Sequence, residues 1–441
     1  MKKVSVVGLG YIGLPTAIIT AQNGYQVYGF DVDLSKIEKI NKAISPIIEN
    51  GIENKLKSVI ENKLLTVSGN IKQADIFLVA VPTPFLNSDK KIKEADLSYV
   101  FSAAKEISKV LVHGNLVILE STVPVGITLK FARLIEKESG FKLSKDFYVS
   151  HCPERVLPGR IFEELVSNDR VIGGICQTAS ELSKNFYSSF VSGQIYITDD
   201  KTAEMVKLAE NSYRDLNIAY ANELSLMAKS IGVDPFKLIE LANKHPRVNI
   251  LQPGCGVGGH CIAVDPWFLI QAFPKNSKVL QAARNINDSK PDIVIKNVLN
   301  AVAKIIKPDI PRPRVLALGL TFKPDVDDLR GSPALKIAAE LNRKRELFDF
   351  AVLEPNLGEN MLDGLGFKRF YDLYESVKWA DLILILVKHS AFYEIKNFDL
   401  KNKVVIDECG LIYKLYELKS QFNLDFGVDG NRDHKNIRGN Q

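Results

Sequence analysis

Short segments that are almost entirely apolar recur along the first third of the chain. Turn-forming residues bound each segment, and stretches with a helical pattern separate them. Parallel strands that are buried on both faces have this composition, whereas strands with one wet face alternate apolar and polar residues. The alternation with helices therefore predicts a βαβ series, with strands at residues 4–10, 26–33, 75–84 and 115–122.

The same order returns near the C-terminus. Four further apolar segments lie at residues 314–320, 350–356, 377–387 and 402–410, and the stretch WADLILILV in this group resembles QADIFLVAV in the first group. The spacing is too long for a short-period repeat array. We therefore expect an α/β protein with two doubly wound, Rossmann-like parallel-sheet domains.

Two long helical segments join these groups. Residues 201–229 contain neither glycine nor proline, and a glycine and a proline soon afterwards end the pattern. A second helix is expected over residues 278–306, with Pro291 as the point where it kinks or breaks. The polar segment 431–441 is expected to be frayed.

Composition narrows the class of protein. A chain of 441 residues is too long for one ordinary core, and its 46% apolar and 25% charged residues are typical of a soluble globular protein. The 57 basic residues are interspersed with 52 acidic ones, which leaves a net charge of +5. No block of like charge indicates binding to nucleic acid or to a membrane. A mildly basic surface suits an anionic small molecule.

The cysteines and the N-terminus bear on the compartment. Five cysteines are few, scattered and odd in number, so we expect free thiols in a reducing cytoplasm. The start MKKVSVVGLG reaches glycine too early for a signal peptide and is interpreted as a strand. No apolar run approaches the roughly 18 residues that cross a bilayer.

A glycine motif follows the first predicted strand and precedes a helical segment. Gly8, Gly10 and Gly13 form the pattern G-x-G-x-x-G, which permits a tight turn and a close approach of the backbone to a pyrophosphate. Asp31 lies at the end of the second predicted strand. A carboxylate there accepts hydrogen bonds from ribose hydroxyls and repels a 2′-phosphate, so the motif predicts NAD in preference to NADP. The alternative is a purely structural glycine turn.

The first long helix carries a row of polar residues. Lys207, Asn211 and Arg214 are spaced i, i+4 and i+7, which places them on one face. Such a row is often a solvent-exposed stripe. The flanking residues are apolar, however, and enclosed polar groups need partners, which a ligand can supply. In the second α/β unit, Lys323 and Arg330 would supply cations for a phosphate-bearing ligand, or be plain surface residues.

The segment 252–269 places two cysteines and a histidine among glycines. Cys255, His260 and Cys261 lack the paired spacing of a zinc site, so we expect no metal. A buried, inert cysteine is one interpretation. Beside NAD, a thiol has a specific use, because it can trap an aldehyde as a thiohemiacetal that loses hydride to give a hydrolysable thioester. The residues therefore raise the possibility of an alcohol oxidised to an acid.

Seven motifs together give the chain a resemblance to the UDP-glucose/GDP-mannose dehydrogenase family over essentially its whole length. In order they are GLGYIGLP, AVPTP, ILESTVPVG, CPERVLPG, TAEMVKLAENSYRDLNIAYANEL, GVGGHCIAVDP and GLTFKPDVDDLR. Within the family, CPERVLPG, HPRVN and AVDPW are most similar to the members that oxidise UDP-N-acetyl-D-mannosamine. The resemblance implies two successive NAD-dependent oxidations at C6 of a UDP-sugar, for surface polysaccharide biosynthesis.

The resemblance also implies roles for individual residues. Cys261 would be the nucleophile, Lys207 and Asn211 would stabilise oxyanions, and Asp265, Thr122 and Glu154 would position or activate water. The cofactor-binding positions are Gly8, Gly10, Tyr11, Ile12, Gly13, Asp31, Thr83 and Thr122. The substrate-binding positions are Arg155, Val156, Lys207, Asn211, Arg214, His245, Arg247, Gly258, Phe322, Lys323 and Arg330.

The resemblance implies that the chain has three domains and forms a homodimer. Residues 1–200 would form the NAD-binding domain, residues 201–308 a central helical region for dimerisation and catalysis, and residues 309–441 the UDP-sugar-binding domain. The homodimer would form through the central helices, with Arg247 reaching the neighbouring site.

Three positions depart from the family pattern. Pro158 stands where UDP-glucose enzymes carry a second glutamate, which makes Glu154 a less certain participant. Cys255 stands where proline is typical, and we expect it to be a bystander. Cys409 stands where relatives often carry a basic residue near the cofactor, so that contact is not expected here.

Competing functions remain open on the sequence alone. The nearest is the same reaction on UDP-N-acetylglucosamine or UDP-glucose, because the choice of sugar depends on a few pocket contacts worth about 1–3 kcal/mol each. A single-hydride hydroxyacid dehydrogenase would need no nucleophilic cysteine. An NAD-sensing module with a metal at residues 255–261 is a non-enzymatic alternative.

Overall fold

The computed structural model describes residues 1–86 and 92–415. The described residues form two compact units, one within 1–212 and 265–278, the other within 213–264 and 279–415. The predicted frayed segment 431–441 lies outside the described residues. This division differs from the three segments expected from the sequence, whose boundaries stay a prediction.

The first unit is built on an eight-stranded sheet in the order β3-β2-β1-β4-β5-β6-β7-β8. All neighbouring pairs are parallel except β6 and β7, which are antiparallel. Four of these strands (β1, β2, β4 and β5) overlap the predicted segments, and the sequence interpretation missed the other four. The strands are β1 (Lys3–Val7), β2 (Gln26–Phe30), β3 (Leu65–Ser68), β4 (Ile76–Val79), β5 (Asn115–Leu119), β6 (Phe147–His151), β7 (Arg170–Gly174) and β8 (Ile195–Asp199).

Seven helices connect these strands. They are α1 (Gly13–Gln22), α2 (Leu34–Asn41), α3 (Ile52–Glu61), α4 (Ser98–Ser108), α5 (Ile127–Ser139), α6 (Ile161–Ser167) and α7 (Gln177–Tyr187). Helix α1 begins directly after the glycine motif and is apolar nearly all round, because it is buried against the sheet through Leu14 and Ile18. Asp33 caps α2 by accepting from the backbone N–H groups of Ser35 and Lys36.

Four helices follow along the middle of the chain, namely α8 (Asp200–Ser230), α9 (Pro235–Ala242), α10 (Asp265–Ala272) and α11 (Lys278–Ile305). The two predicted long helices, α8 and α11, are confirmed to within one residue at each end. Helix α11 continues through Pro291, so of the kink or break expected there, the break does not occur. A proline removes one helical hydrogen bond, and the buried residues Val294 and Val298 anchor the turns that follow it.

The second unit contains a five-stranded, entirely parallel sheet in the order β11-β10-β9-β12-β13. Its elements are β9 (Arg314–Leu318), α12 (Pro333–Asn342), β10 (Asp349–Leu353), β11 (Lys368–Phe370), α13 (Leu373–Trp379), β12 (Leu382–Ile385) and β13 (Val404–Asp407), with 3-10 helices at Glu359–Leu362 and Ser390–Asn397. The two Rossmann-like units are therefore confirmed. The strand predicted at 377–387 was wrong over its first three residues, which belong to α13.

Among the described residues, no helix combines the length and apolar character that crossing a membrane requires.

Candidate active site

The glycine motif forms the turn between β1 and α1. Gly8 has φ +91°, and its N–H donates to the carbonyl of Phe30 over 2.8 Å. A Cβ at Gly8 would lie 2.7 Å from the carbonyl oxygen of Ala80, and one at Gly13 would lie 1.8 Å from that of Gly8. A Cβ at Gly10 would meet nothing within 4 Å. Gly8 and Gly13 thus permit the tight turn, while Gly10 leaves the helix N-terminus open to a pyrophosphate.

Asp31 follows β2 and faces the same turn. Its Oδ2 accepts from the N–H of Leu9 at 2.9 Å and from Lys36 Nζ at 2.8 Å. Burial raises the pKa of Asp31, but the hydrogen bonds from Lys36 and from the backbone outweigh burial and leave the pKa below its ordinary value. The group is therefore an anion at neutral pH. A carboxylate beside an open glycine turn fits the adenosine ribose of NAD.

The loops that follow β4 and β5 are tied together at the carboxyl edge of the same sheet. Thr83 Oγ1 donates to the carbonyl of Thr122 over 2.8 Å, and Ser121 Oγ donates to that of Val81 over 2.7 Å. Tyr11 and Ile12 are half-buried within the glycine turn at this edge. The predicted cofactor-binding residues thus all follow β1, β2, β4 or β5 at their carboxyl ends, where ligands of doubly wound sheets bind, and Gly13 is the first residue of α1.

Asp265, the first residue of α10, contacts the long helix α8. Asn211 Nδ2 donates to Asp265 Oδ2 over 2.6 Å, and the carboxyl is only 2% exposed. Burial raises the pKa of Asp265 to about 6, against the opposing effects of the Lys207 charge and the Asn211 hydrogen bond. A carboxylate whose pKa lies near neutrality is suited to accept a proton from water.

Glu154 is a second buried carboxyl near Lys207. Its Oε1 lies 3.2 Å from Arg170 Nη1, and its Oε2 accepts from the N–H of Val156. Burial raises the pKa of Glu154, and the charges of Arg170 and Lys207 oppose that rise. The charge of Lys207 therefore favours the ionised form of both Glu154 and Asp265.

The sequence interpretation missed Arg170 and its surroundings. The guanidinium lies 5.2 Å from the centroid of the Tyr187 ring, and the Tyr187 hydroxyl donates to Glu120 over 2.6 Å. Burial raises the pKa of Glu120 to about 7. Glu120 had a signal in the sequence, since it is a carboxylate at the end of an otherwise apolar strand. Arg170 had no such signal in the sequence, because its partner Glu154 lies on another segment of the chain.

Four further predicted substrate-binding residues are Arg155 in the first unit and Arg214, His245 and Arg247 in the second. Arg155 is paired with Glu210 at 2.7 Å and with the carbonyl of Asp169 at 2.5 Å. Arg214, His245 and Arg247 are exposed, and His245 Nδ1 accepts from the backbone N–H of Arg247 over 3.4 Å.

Within the second unit, the glycines before Cys261 pack against the loop after β9. A Cβ at Gly259 would lie 2.8 Å from the ring of Phe322, and one at Gly258 would lie 2.6 Å from the carbonyl oxygen of Gly331. Only glycine fits these positions without displacing the neighbouring loop. Cys261 itself is exposed in the turn that follows. The glycine-rich backbone therefore lets a second loop lie directly behind the exposed thiol.

Two of the three departures from the family pattern are the cysteines Cys255 and Cys409, which lie in the second unit. Cys255 is buried, its Sγ lies 3.7 Å from the carbonyl oxygen of Leu386, and burial raises its pKa to about 12. Burial also raises the pKa of Cys409. Thiols with raised pKa values are poor nucleophiles at neutral pH, which fits the expectation that Cys255 is a bystander.

The predicted phosphate-binding cations lie on the loop after β9. Arg330 forms an ion pair with Asp328 at 2.7 Å, and His260 Nε2 lies 4.0 Å from the same carboxylate. Lys323 Nζ lies 5.7 Å from the centroid of the Phe322 ring. Across the described residues, no group of three or more His, Cys, Asp or Glu side chains could hold a metal ion.

A glycine turn with an ionised Asp31, in the same unit as two buried carboxyls that sense the Lys207 charge, is typical of NAD-binding dehydrogenases. Models of the UDP-glucose/GDP-mannose dehydrogenase family match residues 2–191 as the NAD binding domain, 201–289 as the central domain and 316–414 as the UDP binding domain. The chain belongs to the UDP-glucose/GDP-mannose dehydrogenase family. The expected family and the NAD cofactor are thereby confirmed.

Individual relatives are similar over nearly their whole length. A UDP-N-acetyl-D-mannosamine dehydrogenase of Campylobacter jejuni is 45% identical, over 90% of this chain and 97% of that protein. An NDP-N-acetyl-D-galactosaminuronic acid dehydrogenase of Ralstonia solanacearum is 42% identical, over 93% and 96%. The structure of a UDP-D-ManNAc dehydrogenase from Pyrococcus horikoshii superimposes with a TM-score of 0.83 at 40% identity, covering 93% of this chain and 96% of that one.

Proposed function

We propose that the protein oxidises the C6 hydroxyl of UDP-N-acetyl-D-mannosamine to a carboxylate, with two molecules of NAD consumed per sugar. The observation that carries this proposal is the near-full-length similarity to dehydrogenases of that sugar, at 45% identity for the Campylobacter jejuni protein. The buried pair of Asn211 and Asp265 supports it, because thioester hydrolysis needs a base with a pKa near neutrality.

The proposed reaction divides among residues of this chain. NAD, when bound at the turn of residues 8–13 and at Asp31, supplies the hydride acceptor for each oxidation. The thiol of Cys261 adds to the aldehyde carbon to give a thiohemiacetal, and loss of hydride and a proton leaves a thioester. Lys207 and Asn211 stabilise the oxyanions that form.

Hydrolysis completes the reaction. Asp265, with Glu154 and Thr122, orients a water molecule and accepts its proton as the water attacks the thioester carbon. The carbon–sulfur bond breaks, which releases the carboxylate and returns the Cys261 thiol. In total one alcohol, one water and two NAD⁺ give one carboxylate, two NADH and three protons.

The remaining assignments concern substrate contacts and organisation. We assign the UDP moiety to Phe322, Lys323 and Arg330, together with Gly258 of the glycine-rich segment. The other assigned substrate contacts are Arg155, Val156, Arg214, His245 and Arg247. All five cysteines lie in the described residues and are outside disulfides, which supports a reducing cytoplasm as the location.

We also propose a homodimer through the central helices. Tyr213, Tyr220 and Met227 are about half-exposed and recur every seven residues along α8, which forms an apolar stripe on one face. If Arg247 completes the neighbouring site, a mixture of Cys261→Ala and Arg247→Ala chains should regain up to about a quarter of the wild-type activity after subunit exchange. No regain by a mixture that forms heterodimers would contradict the shared site.

A panel of sugars tests the choice of substrate. We expect kcat/KM to be highest with UDP-N-acetylmannosamine and at least about 10-fold lower with UDP-N-acetylglucosamine, UDP-N-acetylgalactosamine and UDP-glucose. The galactosamine substrate belongs in the panel because the Ralstonia relative is named for that sugar series. A higher kcat/KM with any of the other three would overturn the assignment of the sugar and leave the chemistry unchanged.

A further inference from the structure

A buried carboxylate and a buried imidazole hold the loop between β9 and α12 in the second unit. This β9–α12 loop, residues 319–332, carries Phe322, Lys323 and Arg330. Glu354 follows β10 and is 2% exposed, while His389 follows β12 and is 0% exposed. Neither residue is needed for the chemistry described above, so their function requires a separate explanation.

Glu354 repeats the arrangement of Asp31 in the first unit. The N–H of Gly319 donates to the carbonyl of Leu353 over 3.0 Å, and the N–H of Leu320 donates to Glu354 Oε2 over 2.7 Å. Gly8 and Leu9 make the equivalent bonds after β1. In the second unit, however, His389 Nε2 lies 3.1 Å from that same carboxylate oxygen. Glu354 is therefore directed to the protein interior and braces the loop.

The contacts of His389 determine its tautomer. The backbone N–H of Asp325 can only donate, and it lies 3.0 Å from His389 Nδ1, so Nδ1 is the acceptor. The ring proton is then on Nε2, which donates to Glu354. One imidazole thus joins the start of the β9–α12 loop, through Glu354, to the middle of the loop, at Asp325.

Asp325, whose backbone N–H donates to His389, has an unusual backbone conformation. Asp325 has φ +56°, a left-handed conformation that non-glycine residues adopt only where the surroundings enforce it. Its Oδ1 accepts from the backbone N–H of Ser390 at 2.9 Å and from Ser390 Oγ at 3.0 Å. His389 and Ser390 together fix this residue, two positions after Lys323.

The β9–α12 loop also supports residues 258–261, which we call the Cys261 segment. The Phe322 ring fills the space beside Gly259, and the carbonyl of Gly331 fills the space beside Gly258. These glycines directly precede His260 and Cys261. A shift of the β9–α12 loop would therefore remove both the placement of Lys323 and the surface against which the Cys261 segment packs.

We propose that His389 is a positioning residue for substrate recognition: it holds the β9–α12 loop so that Phe322 and Lys323 can bind the UDP moiety and the Cys261 segment keeps its place. This inference rests on the proposed roles of Lys323 and Cys261.

Two variants of the full-length protein test it. His389→Leu removes both hydrogen-bonding atoms, and His389→Asn keeps an acceptor near the N–H of Asp325. We expect His389→Leu to raise KM for the UDP-sugar about 10-fold or more with KM for NAD changed less than about 2-fold, and His389→Asn to fall between it and wild type. Leu341→Ala, which truncates a buried residue elsewhere in the unit, is the control for general destabilisation.

The outcomes separate this inference from the proposed function. An unchanged KM for the UDP-sugar in His389→Leu would overturn the inference. An equal rise of the KM values for the UDP-sugar and for NAD, which is the pattern expected of general destabilisation in Leu341→Ala, would also overturn it. If His389→Leu does not fold, the same comparison with His389→Asn decides. The rate at which iodoacetamide alkylates Cys261, followed by mass spectrometry of its peptide, should change in the His389 variants even if the true substrate is another sugar. An unchanged alkylation rate would also count against the inference.

Discussion

Asn211 and Asp265 form a buried hydrogen bond of 2.6 Å between the long helix α8 and the first residue of α10. The bond holds a carboxyl whose burial raises its pKa to about 6. Asp265 lies four positions after Cys261 in the sequence, so one short segment carries both the proposed nucleophile and its proposed base. The following expectations test this arrangement and its neighbours.

Replacing Asp265 by Asn should stabilise the folded protein at neutral pH, because it removes a carboxyl whose ionisation is unfavourable in its buried position. Because the folded pKa lies above the unfolded value, the stability that neutral Asp265 contributes is present below about pH 4 and lost as pH rises through about 6. Asp265→Asn should therefore be more stable than wild type at pH 7.5, by up to about 3 kcal/mol, and similar to it at pH 4. Denaturant unfolding at the two pH values measures this difference.

The same titration should appear in catalysis. Asp265 must be ionised to accept a proton from water, so hydrolysis of the thioester should slow as pH falls through about 6. Wild type should show this acid limb in kcat, and Asp265→Asn should show a much lower rate without it. An acid limb that persists in Asp265→Asn would assign the base to another residue, with Glu154 the first candidate.

Lys207→Ala should lower kcat far more than it weakens binding of the UDP-sugar. The ammonium group stabilises an oxyanion that exists only during reaction, so its loss should cost about 100-fold or more in kcat. Steady-state kinetics at saturating NAD separate the two parameters. A rise in KM with unchanged kcat would make Lys207 a binding residue instead.

Gly259→Ala should be more harmful than the same change at a glycine with open surroundings. Gly259 has φ +83° and would place its new Cβ 2.8 Å from the Phe322 ring, whereas Gly232 has φ +74° and nothing within 4 Å. Gly232→Ala should therefore cost only about 1 kcal/mol, and Gly259→Ala about 1–3 kcal/mol more, with a loss of activity. Equal unfolding free energies would contradict the close packing behind Cys261.

Local spacing explains which parts of this architecture could be predicted from the sequence. Gly8, Gly13 and Asp31 were predictable because a tight turn and the end of the next strand fix their relation within about twenty residues. The long helix α8 was predictable from the absence of glycine and proline over 201–229.

Longer-range relations left no such signal. Arg170 reaches Glu154 only because β7 pairs antiparallel to β6, which apolar runs cannot reveal. His389 meets Glu354 through the order of the strands in the second sheet. Residues 377–379 were assigned to a strand together with the apolar run that follows them, although they form the end of α13.

The most direct test of the account is the number of NADH formed per UDP-N-acetylmannosamine consumed, in wild type and in Cys261→Ser. The account predicts two NADH and a carboxylate product for wild type, and no carboxylate from Cys261→Ser, because the weaker oxygen nucleophile should not carry the second oxidation. A single NADH from wild type, or normal uronate production by Cys261→Ser, would contradict a mechanism through a thioester on Cys261.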